Sequence, residues 1–311
     1  MVVMVDTFRR ANSLAEVSEE RPVYLAIGVF DGVHRGHQHL LKAMVDAARQ
    51  AEACPAVLTF YPHPIAVIRC LEGRIYLNDL ERRLDLLAEL GIELVIVHPF
   101  NDKVRTTRGR EFVDQLCTAM YLRQLWGGSF SLGYQREGTA DYLRELGSEQ
   151  GFTVHLFNDL VSWNGQEVSS SRIRQALAAG DIEEVNGCLA RPFEVQGMVI
   201  EGDHRGRLLG FPTANLAVWE QLLLPANGVY AAHAYLDGVR YGAATNVGVR
   251  PTVNGSALSV EAHLLDFDRE IYGETLTLAF VQRIRDERKF AGLDALKQQI
   301  GADVVTIRAV L

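Results

Sequence analysis

Along the first 180 or so residues, short unbroken apolar runs alternate with stretches in which apolar positions return every three or four residues. Val23–Val29, Ala56–Phe60 and Leu94–Val97 are runs of the first kind, the composition of strands buried on both faces. Leu40, Leu41, Met44, Val45 and Ala48 predict a helix over Gln38–Ala53 with one apolar side. Leu80, Leu84, Leu87 and Leu90, spaced 4, 3 and 3, predict another, ended by Gly91. Leu122–Trp126 and Thr153–Phe157 are further strand candidates, flanking a helical stretch near Tyr142–Leu146. Alternation of this kind predicts an α/β domain, a parallel sheet covered by helices on both faces.

After Arg191-Pro192 the rhythm changes. Val195–Val199, Val229–Tyr235, Val239–Asn246, Ser259–Leu265 and Leu276–Val281 follow one another as strand-like segments without long helices between them. Asp237-Gly238 is a two-residue hairpin signal. This half is expected to be a mainly antiparallel sheet or barrel. The tail returns to helical period, with Leu293, Leu296, Ile300, Val304 and Ile307 spaced 3, 4, 4 and 3. The change falls near residues 184–192, with no low-complexity linker and no internal repeat, so the expected domains are 1–186 and 187–311. A chain of 311 residues is long enough for two cores.

Charge and composition narrow the function classes. The formal net charge is −8 with no long basic run, which gives a duplex nucleic-acid partner little electrostatic support. Cys54, Cys70, Cys117 and Cys188 lie far apart, as reduced thiols do, rather than as a metal or disulfide framework. No apolar stretch reaches membrane-spanning length and the start is too short for a signal peptide, so a cytoplasmic protein without a membrane partner is expected. Oligomeric state is not legible.

Two stretches carry chemistry. Residues 28–37 read Gly-Val-Phe-Asp-Gly-Val-His-Arg-Gly-His, directly after a strand and before a helix. His34 and His37, three apart at a helix start, can project from one face beside unpaired N–H groups and the positive end of the helix. Gly32 and Gly36 admit a bulky anion, and Gly28, Phe30 and Asp31 complete the loop. These parts suit a nucleoside triphosphate attacked at its α-phosphate, a reaction that needs charge stabilisation and positioning more than covalent chemistry. Residues 202–215 read Gly-Asp-His-Arg-Gly-Arg-Leu-Leu-Gly-Phe-Pro-Thr-Ala-Asn. Gly202, Gly206 and Gly210 with Arg205 form a cationic loop able to cover phosphates, ending at Pro212. It is no Walker motif, because Gly-Lys-Ser/Thr is missing. Thr213 and Asn215 offer neutral oxygens of the kind Mg2+ takes alongside phosphates and water. Glu261 is an acid inside an otherwise apolar strand pattern, either the solvent side of that strand or a proton acceptor.

The first stretch resembles the signature of the HxGH nucleotidyltransferases. Further landmarks resemble the bacterial bifunctional riboflavin kinase/FAD synthetase family: Thr59-Phe60-Tyr61-Pro62-His63-Pro64, then Val168-Ser169-Ser170-Ser171-Arg172-Ile173-Arg174. Gly202–Asn215, Leu224–Tyr230, Asn246–Thr252, Val260–Leu265 and Tyr272-Gly273 continue the match through its riboflavin kinase half. The resemblance implies a Rossmann-like nucleotidyltransferase domain followed by a six-stranded antiparallel barrel with a C-terminal helix. It implies riboflavin, FMN and ATP as substrates. Glu261 would be the catalytic base of the kinase, with Thr213 and Asn215 holding magnesium and phosphates. His34, His37 and Arg172 would stabilise charge on the triphosphate of the adenylyltransferase, with Asp31 and Ser169–Ser171 supporting the nucleotide. His204 and His263 match no role. One departure stands out: where the family has Gly-x-Asp-Phe-Arg-Phe-Gly, this chain has Gly127-Gly128-Ser129-Phe130-Ser131-Leu132-Gly133. The glycines stay, while two charges and one aromatic ring go. Two narrower readings therefore stand beside the bifunctional one: a riboflavin kinase with a degenerate first domain, and a flavin-binding regulator without turnover.

Overall fold

The structure, a computed structural model, describes residues 8–157, 159–202, 205–252 and 255–311, with side chains omitted at 205, 208, 250–252 and 255–257. The chain forms two compact units, one of residues 1–72 and 80–168, the other of residues 73–79 and 169–311.

The first unit runs β1 (Arg9–Ala11), β2 (Val23–Ile27), α1 (Arg35–Gln50), β3 (Cys54–Tyr61), α2 (Pro64–Arg69), α3 (Leu80–Glu89) and β4 (Leu94–Pro99). It continues with α4 (Asp102–Thr106), α5 (Gly109–Ala119), β5 (Leu122–Gly127), α6 (Ala140–Gln150), β6 (Thr153–Leu156) and a small hairpin of β7 (Ser162–Trp163) and β8 (Gln166–Glu167). Six strands make one sheet in the order β1-β4-β3-β2-β5-β6, every pair parallel. Successive side chains of β2 leave by opposite faces. Val23, Leu25 and Ile27 pack with Phe112, Val113 and Leu116 of α5, while Tyr24 and Ala26 pack with Leu41, Met44 and Val45 of α1. Burial of a single leucine here contributes about 1.5–3 kcal/mol, so α1 and α5 each fasten a face of the sheet. β1 and α5 are absent from the sequence-based expectation. Three-residue β1 is too short to show a period. Helix α1 also begins three residues earlier than expected, because His34 caps it.

The second unit contains α7 (Ser170–Ala179), α8 (Ile182–Leu189), β9 (Phe193–Ile200), α9 (Arg205–Leu209), β10 (Ala214–Val218), β11 (Gly228–Leu236), β12 (Val239–Thr252), β13 (Gly255–Leu264), β14 (Thr275–Arg285) and α10 (Leu293–Val310). β9–β14 close into an antiparallel barrel in the order β10-β13-β12-β11-β14-β9. The sixth strand, β10, carries the buried polar Asn215 amid apolar neighbours, which hides it from a search for apolar runs. Helix α10 packs on the barrel through Ile307, which meets Val229, Ala231 and Leu265. Arg285 fixes it further, holding Asp303 through Nε at 2.9 Å and Nη2 at 2.7 Å. The segment 73–79 is sewn into this unit. Tyr76 pairs with Leu222 and packs on Trp219, and Arg74 Nη1 donates to the Leu222 carbonyl at 2.7 Å. Arg174 Nε donates to Ile75 O at 3.2 Å.

Candidate active sites

In the first unit, β2 is the strand at which the sheet order turns, with β3 and β4 on one side and β5 and β6 on the other. The crevice beyond the carboxyl end of such a strand is where open α/β sheets bind ligands. Residues 28–34 occupy it in an expensive conformation: Phe30 has φ 52° and Val33 φ 39°, with Gly32 at 81°. Each of the two non-glycines costs about 1–3 kcal/mol, which the surroundings must over-determine. A Cβ on Gly28 would stand 3.0 Å from the Phe30 ring, so glycine is what lets that buried ring fold back.

The loop is held from below by Arg83 of α3, which has no exposed surface. Its Nη1 donates to the Val29 carbonyl at 3.0 Å and lies 3.4 Å from Thr59 Oγ1, whose hydroxyl donates to the same carbonyl at 2.8 Å. Arg83 Nη2 lies 3.7 Å from Asp31, itself buried. His34 caps α1, its Nδ1 accepting the His37 N–H at 3.3 Å, and the two rings stack with centroids 3.7 Å apart. The Phe30 ring meets His37 edge-on at 5.1 Å. Burial, with His34 and Arg83 close by, holds His37 well below the ordinary histidine range, so it is neutral at neutral pH. Gly36 lies between the two histidines in the first turn. The structure thus brings Gly28, Phe30, Asp31, His34, Gly36 and His37 together.

The serine run lies in the second unit. Ser169 caps α7, accepting the Arg172 N–H at 3.2 Å, and Ser170 and Ser171 form its first turn. Arg172 is paired with Glu184 of α8. In the first unit, the loop that departs from the family pattern is closed by backbone bonds between Leu132 and Gly138, at 2.8 and 3.3 Å. Ser129 and Ser131 are exposed on it, while Phe130 and Leu132 pack against the core.

In the second unit, strand register assembles the site. Asn215 of β10 stands opposite Glu261 of β13, and Glu261 stands opposite Asn246 of β12. Directly opposed residues share a face, so three polar side chains form one row across three strands. That row lines a cavity of about 760 Å³, roofed in part by Leu296, Ile300 and Asp303 of α10. A second cavity of about 320 Å³ is lined by Gly202, Arg207, Pro212 and Tyr272, among others. Thr213 and Asn215 line both. His263 supports their turn, its Nδ1 lying 2.8 Å from the Pro212 carbonyl and its ring edge-on to Phe211.

A Cβ on Gly202 would run into the Asn215 amide, and one on Gly206 would come within 3.2 Å of Thr213 Oγ1, so the space beside both oxygens is kept by glycines. Gly210, at φ 86°, turns the chain toward Pro212. Among the described residues no three His, Cys, Asp or Glu cluster as metal ligands. A Mg2+ ion held by few protein oxygens plus phosphates fits the donors Thr213 and Asn215. The Arg205 side chain and His204 lie outside the described residues. Sequence reasoning missed Arg83, which acts from a helix some 50 positions away, and the part played by Asn246 and Thr245. Thr245 is fully buried in the larger cavity, its hydroxyl without a hydrogen-bond partner among the described residues.

Residues 16–172 match the family model for FAD synthetase, and residues 189–311 match that for riboflavin kinase. A bifunctional riboflavin kinase/FMN adenylyltransferase of Pseudomonas fluorescens is 37% identical over 294 residues, covering 94% of each chain. Proteins of the same description from Bacillus subtilis and Escherichia coli K12 are each 34% identical, over 92% and 96% of this chain and 91% and 96% of theirs. A solved structure described as a macrolide-efflux protein from Streptococcus pneumoniae has the same fold, with TM-score 0.88 and 29% identity over 97% of this chain and 99% of that one. Among the described residues of the present chain, no helix is long and apolar enough to cross a membrane. Two family models that together cover most of the sequence, and relatives of 34–37% identity over more than nine-tenths of it, lead to one conclusion: this chain belongs to the bifunctional riboflavin kinase/FMN adenylyltransferase family.

Proposed function

We propose that this chain makes flavin cofactors in two successive transfers from ATP, residues 187–311 carrying the first and residues 1–186 the second. In the first, the 5′-hydroxyl of riboflavin attacks the γ-phosphorus of ATP, Glu261 takes the hydroxyl proton, and ADP leaves with FMN as the product. The observation that carries this step is the meeting of two cavities at Thr213 and Asn215, with Glu261 opposite Asn215 in register. The larger holds the flavin alcohol, the smaller the nucleotide, and the phosphoryl group passes between them. Mg2+, when bound by Thr213, Asn215 and the phosphates, neutralises charge on the transferring group. Gly202, Arg205, Gly206, Gly210 and Pro212 form the loop over the nucleotide.

In the second transfer, a phosphate oxygen of FMN attacks the α-phosphorus of another ATP and pyrophosphate leaves, giving FAD. His34 and His37 offer N–H groups to that phosphate, beside the open N–H groups at the start of α1. Because His37 is neutral, it stabilises developing charge by hydrogen bonding rather than as a cation. Arg172, paired with Glu184 in the second unit, and the hydroxyls of Ser169, Ser170 and Ser171 keep the nucleotide-supporting role that the family resemblance implies. Asp31 orders the loop through Arg83, and Gly28, Phe30 and Gly36 shape it around the nucleotide.

One assay tests both halves: purified protein with ATP and Mg2+, started separately from riboflavin and from FMN. The expected products are FMN followed by FAD in the first arm, and FAD with stoichiometric pyrophosphate in the second. FMN without FAD would leave a riboflavin kinase alone, and no product in either arm would leave a flavin-binding protein.

A further inference from the structure

Gly248 of β12 leaves a gap that two polar groups share. A Cβ there would stand 2.5 Å from Glu287 Oε1 and 3.0 Å from Asn246 Nδ2, so with any side chain at this position the carboxylate would be pushed aside. Asn246 and Gly248 are two apart on one strand and face the same side. It is the side on which Asn246 stands opposite Glu261. Glu287 comes from beyond the end of β14 and reaches over that row. Its other oxygen, Oε2, accepts the Asn227 amide at 3.4 Å. Asn227 is held in turn, its carbonyl accepting Arg283 Nη2 at 2.7 Å. Asn246, Glu261 and Glu287 all line the larger cavity.

A carboxylate only accepts hydrogen bonds, and the nitrogen of an amide only donates them. Two such atoms beside one point suit a single alcohol oxygen, which gives one hydrogen and accepts another at ordinary hydrogen-bond lengths. A phosphate would use the amide and be repelled by the carboxylate; an ammonium would do the reverse. Glu261, directly opposite Asn246, adds the second constraint, because facing Cβ atoms on paired strands are about 4.5–5.5 Å apart. On a polyol, the hydroxyls next to the one that reacts lie within that reach. We infer that Asn246 and Glu287 read a secondary hydroxyl of the ribityl chain, and that Gly248 keeps the place open for it. This rests on the reading above, in which Glu261 takes the proton of the 5′-hydroxyl. The role is one of specificity: a flavin alcohol without secondary hydroxyls leaves both polar groups without the partner for which they are spaced.

The test uses the full chain with ATP, Mg2+ and two flavin alcohols. One is riboflavin; the other carries an unbranched 5-hydroxypentyl chain at N10, keeping the reacting hydroxyl and lacking the secondary ones. The quantity measured is the ratio of their kcat/KM values, with the ratio of Kd values from flavin fluorescence for any variant too slow to assay. The unaltered protein is expected to prefer riboflavin about 100-fold or more. Asn246→Ala and Glu287→Ala are each expected to cut that preference about tenfold, the loss of one hydrogen bond. Gly248→Ala, which displaces the Glu287 carboxylate, is expected to cut it by a similar factor. A ratio taken on one preparation is independent of the fraction folded, so a folding defect cannot imitate its loss. An unaltered protein that treats the two flavins alike, or variants that keep its full preference, overturns the role of Asn246 and Glu287 and leaves the kinase reading standing. Failure of the unaltered protein to phosphorylate riboflavin overturns both.

Discussion

Around His34 and His37 the polypeptide places two stacked imidazoles, a buried aspartate and an arginine with no exposed surface beneath a loop that carries three residues at positive φ. Around Glu261 it places the amides of Asn215 and Asn246 on neighbouring strands in plain register, while the charged side chains Arg285, Glu287, Arg288 and Asp303 line the same cavity from outside that row. The first site is a strained loop held by buried charge; the second is a row written into the pairing of a barrel. The contrast fits the two reactions proposed for these sites. Attack on an α-phosphorus leaves pyrophosphate, so the protein must supply fixed positive and dipolar groups. In the proposed γ-phosphoryl transfer a Mg2+ held by Thr213 and Asn215 would meet part of the charge, and the protein would mainly have to take a proton and align two substrates.

The sharpest way to break this comparison is to disable one site and measure the other. Glu261→Gln is expected to lower FMN formation about 10²- to 10⁴-fold, the range of a general base, without changing FAD formation from added FMN. His37→Ala is expected to lower FAD formation about 10²- to 10³-fold, the cost of a lost oriented donor, while FMN formation continues. Simultaneous loss of both products in either variant would mean that the sites are not independent.

Support beneath the loop is the next target. Arg83→Met leaves Asp31 buried beside an uncharged side chain, and the expected loss is about 3–5 kcal/mol of stability, read by chemical denaturation. Joint replacement with Asp31→Asn removes the other charge and is expected to recover much of it. Thr245→Val in the barrel, whose buried hydroxyl has no partner among the described residues, is the contrasting change: stability there should hold or rise.

Acid separates the units as well. His37, His98 and His155 in the first unit are all held below the ordinary value of 6.5 by burial, while His233 is the one such residue among those described in the second. For a histidine with a depressed folded pKa, the unfolded chain binds the extra proton first. Stability is therefore full above about pH 6.5 and falls as pH drops below it toward the folded values. Hydrogen exchange followed from pH 7 to pH 5 is expected to show protection failing earlier around α1 and β4 than in the barrel. The smallest expected effect lies in the loop of residues 127–138. Ser129→Asp with Ser131→Arg restores charges at exposed positions and should change the KM for FMN in FAD formation only a few-fold, since exposed pairs contribute about 0–1 kcal/mol.

Legibility followed contiguity. Gly28–His37 and Gly202–Asn215 are read from sequence because each keeps its chemistry within a dozen or so neighbouring positions. The parallel sheet and the barrel are equally readable from unbroken runs such as Val23–Val29 and from the Asp237-Gly238 turn. Arg83 is not, because on α3 it occupies an ordinary helical position and gains meaning only when Val29 and Thr59 are folded over it. Asn246 becomes part of a site only through its register with Glu261, a relation no single strand contains.

Segment 73–79 bears on how the two chemistries can be taken apart. The chain passes from one unit to the other three times, at 72/73, 79/80 and 168/169. A gene fragment opening at residue 187 would encode the barrel without the strap that seats Trp219 and Leu222, and without the first five residues of α8, among them Asn186, whose amide donates to the Phe280 carbonyl at 2.8 Å. The activities can be parted by a base change in one codon, but a pair of scissors would have to cut this gene in three places and return seven residues to the other half.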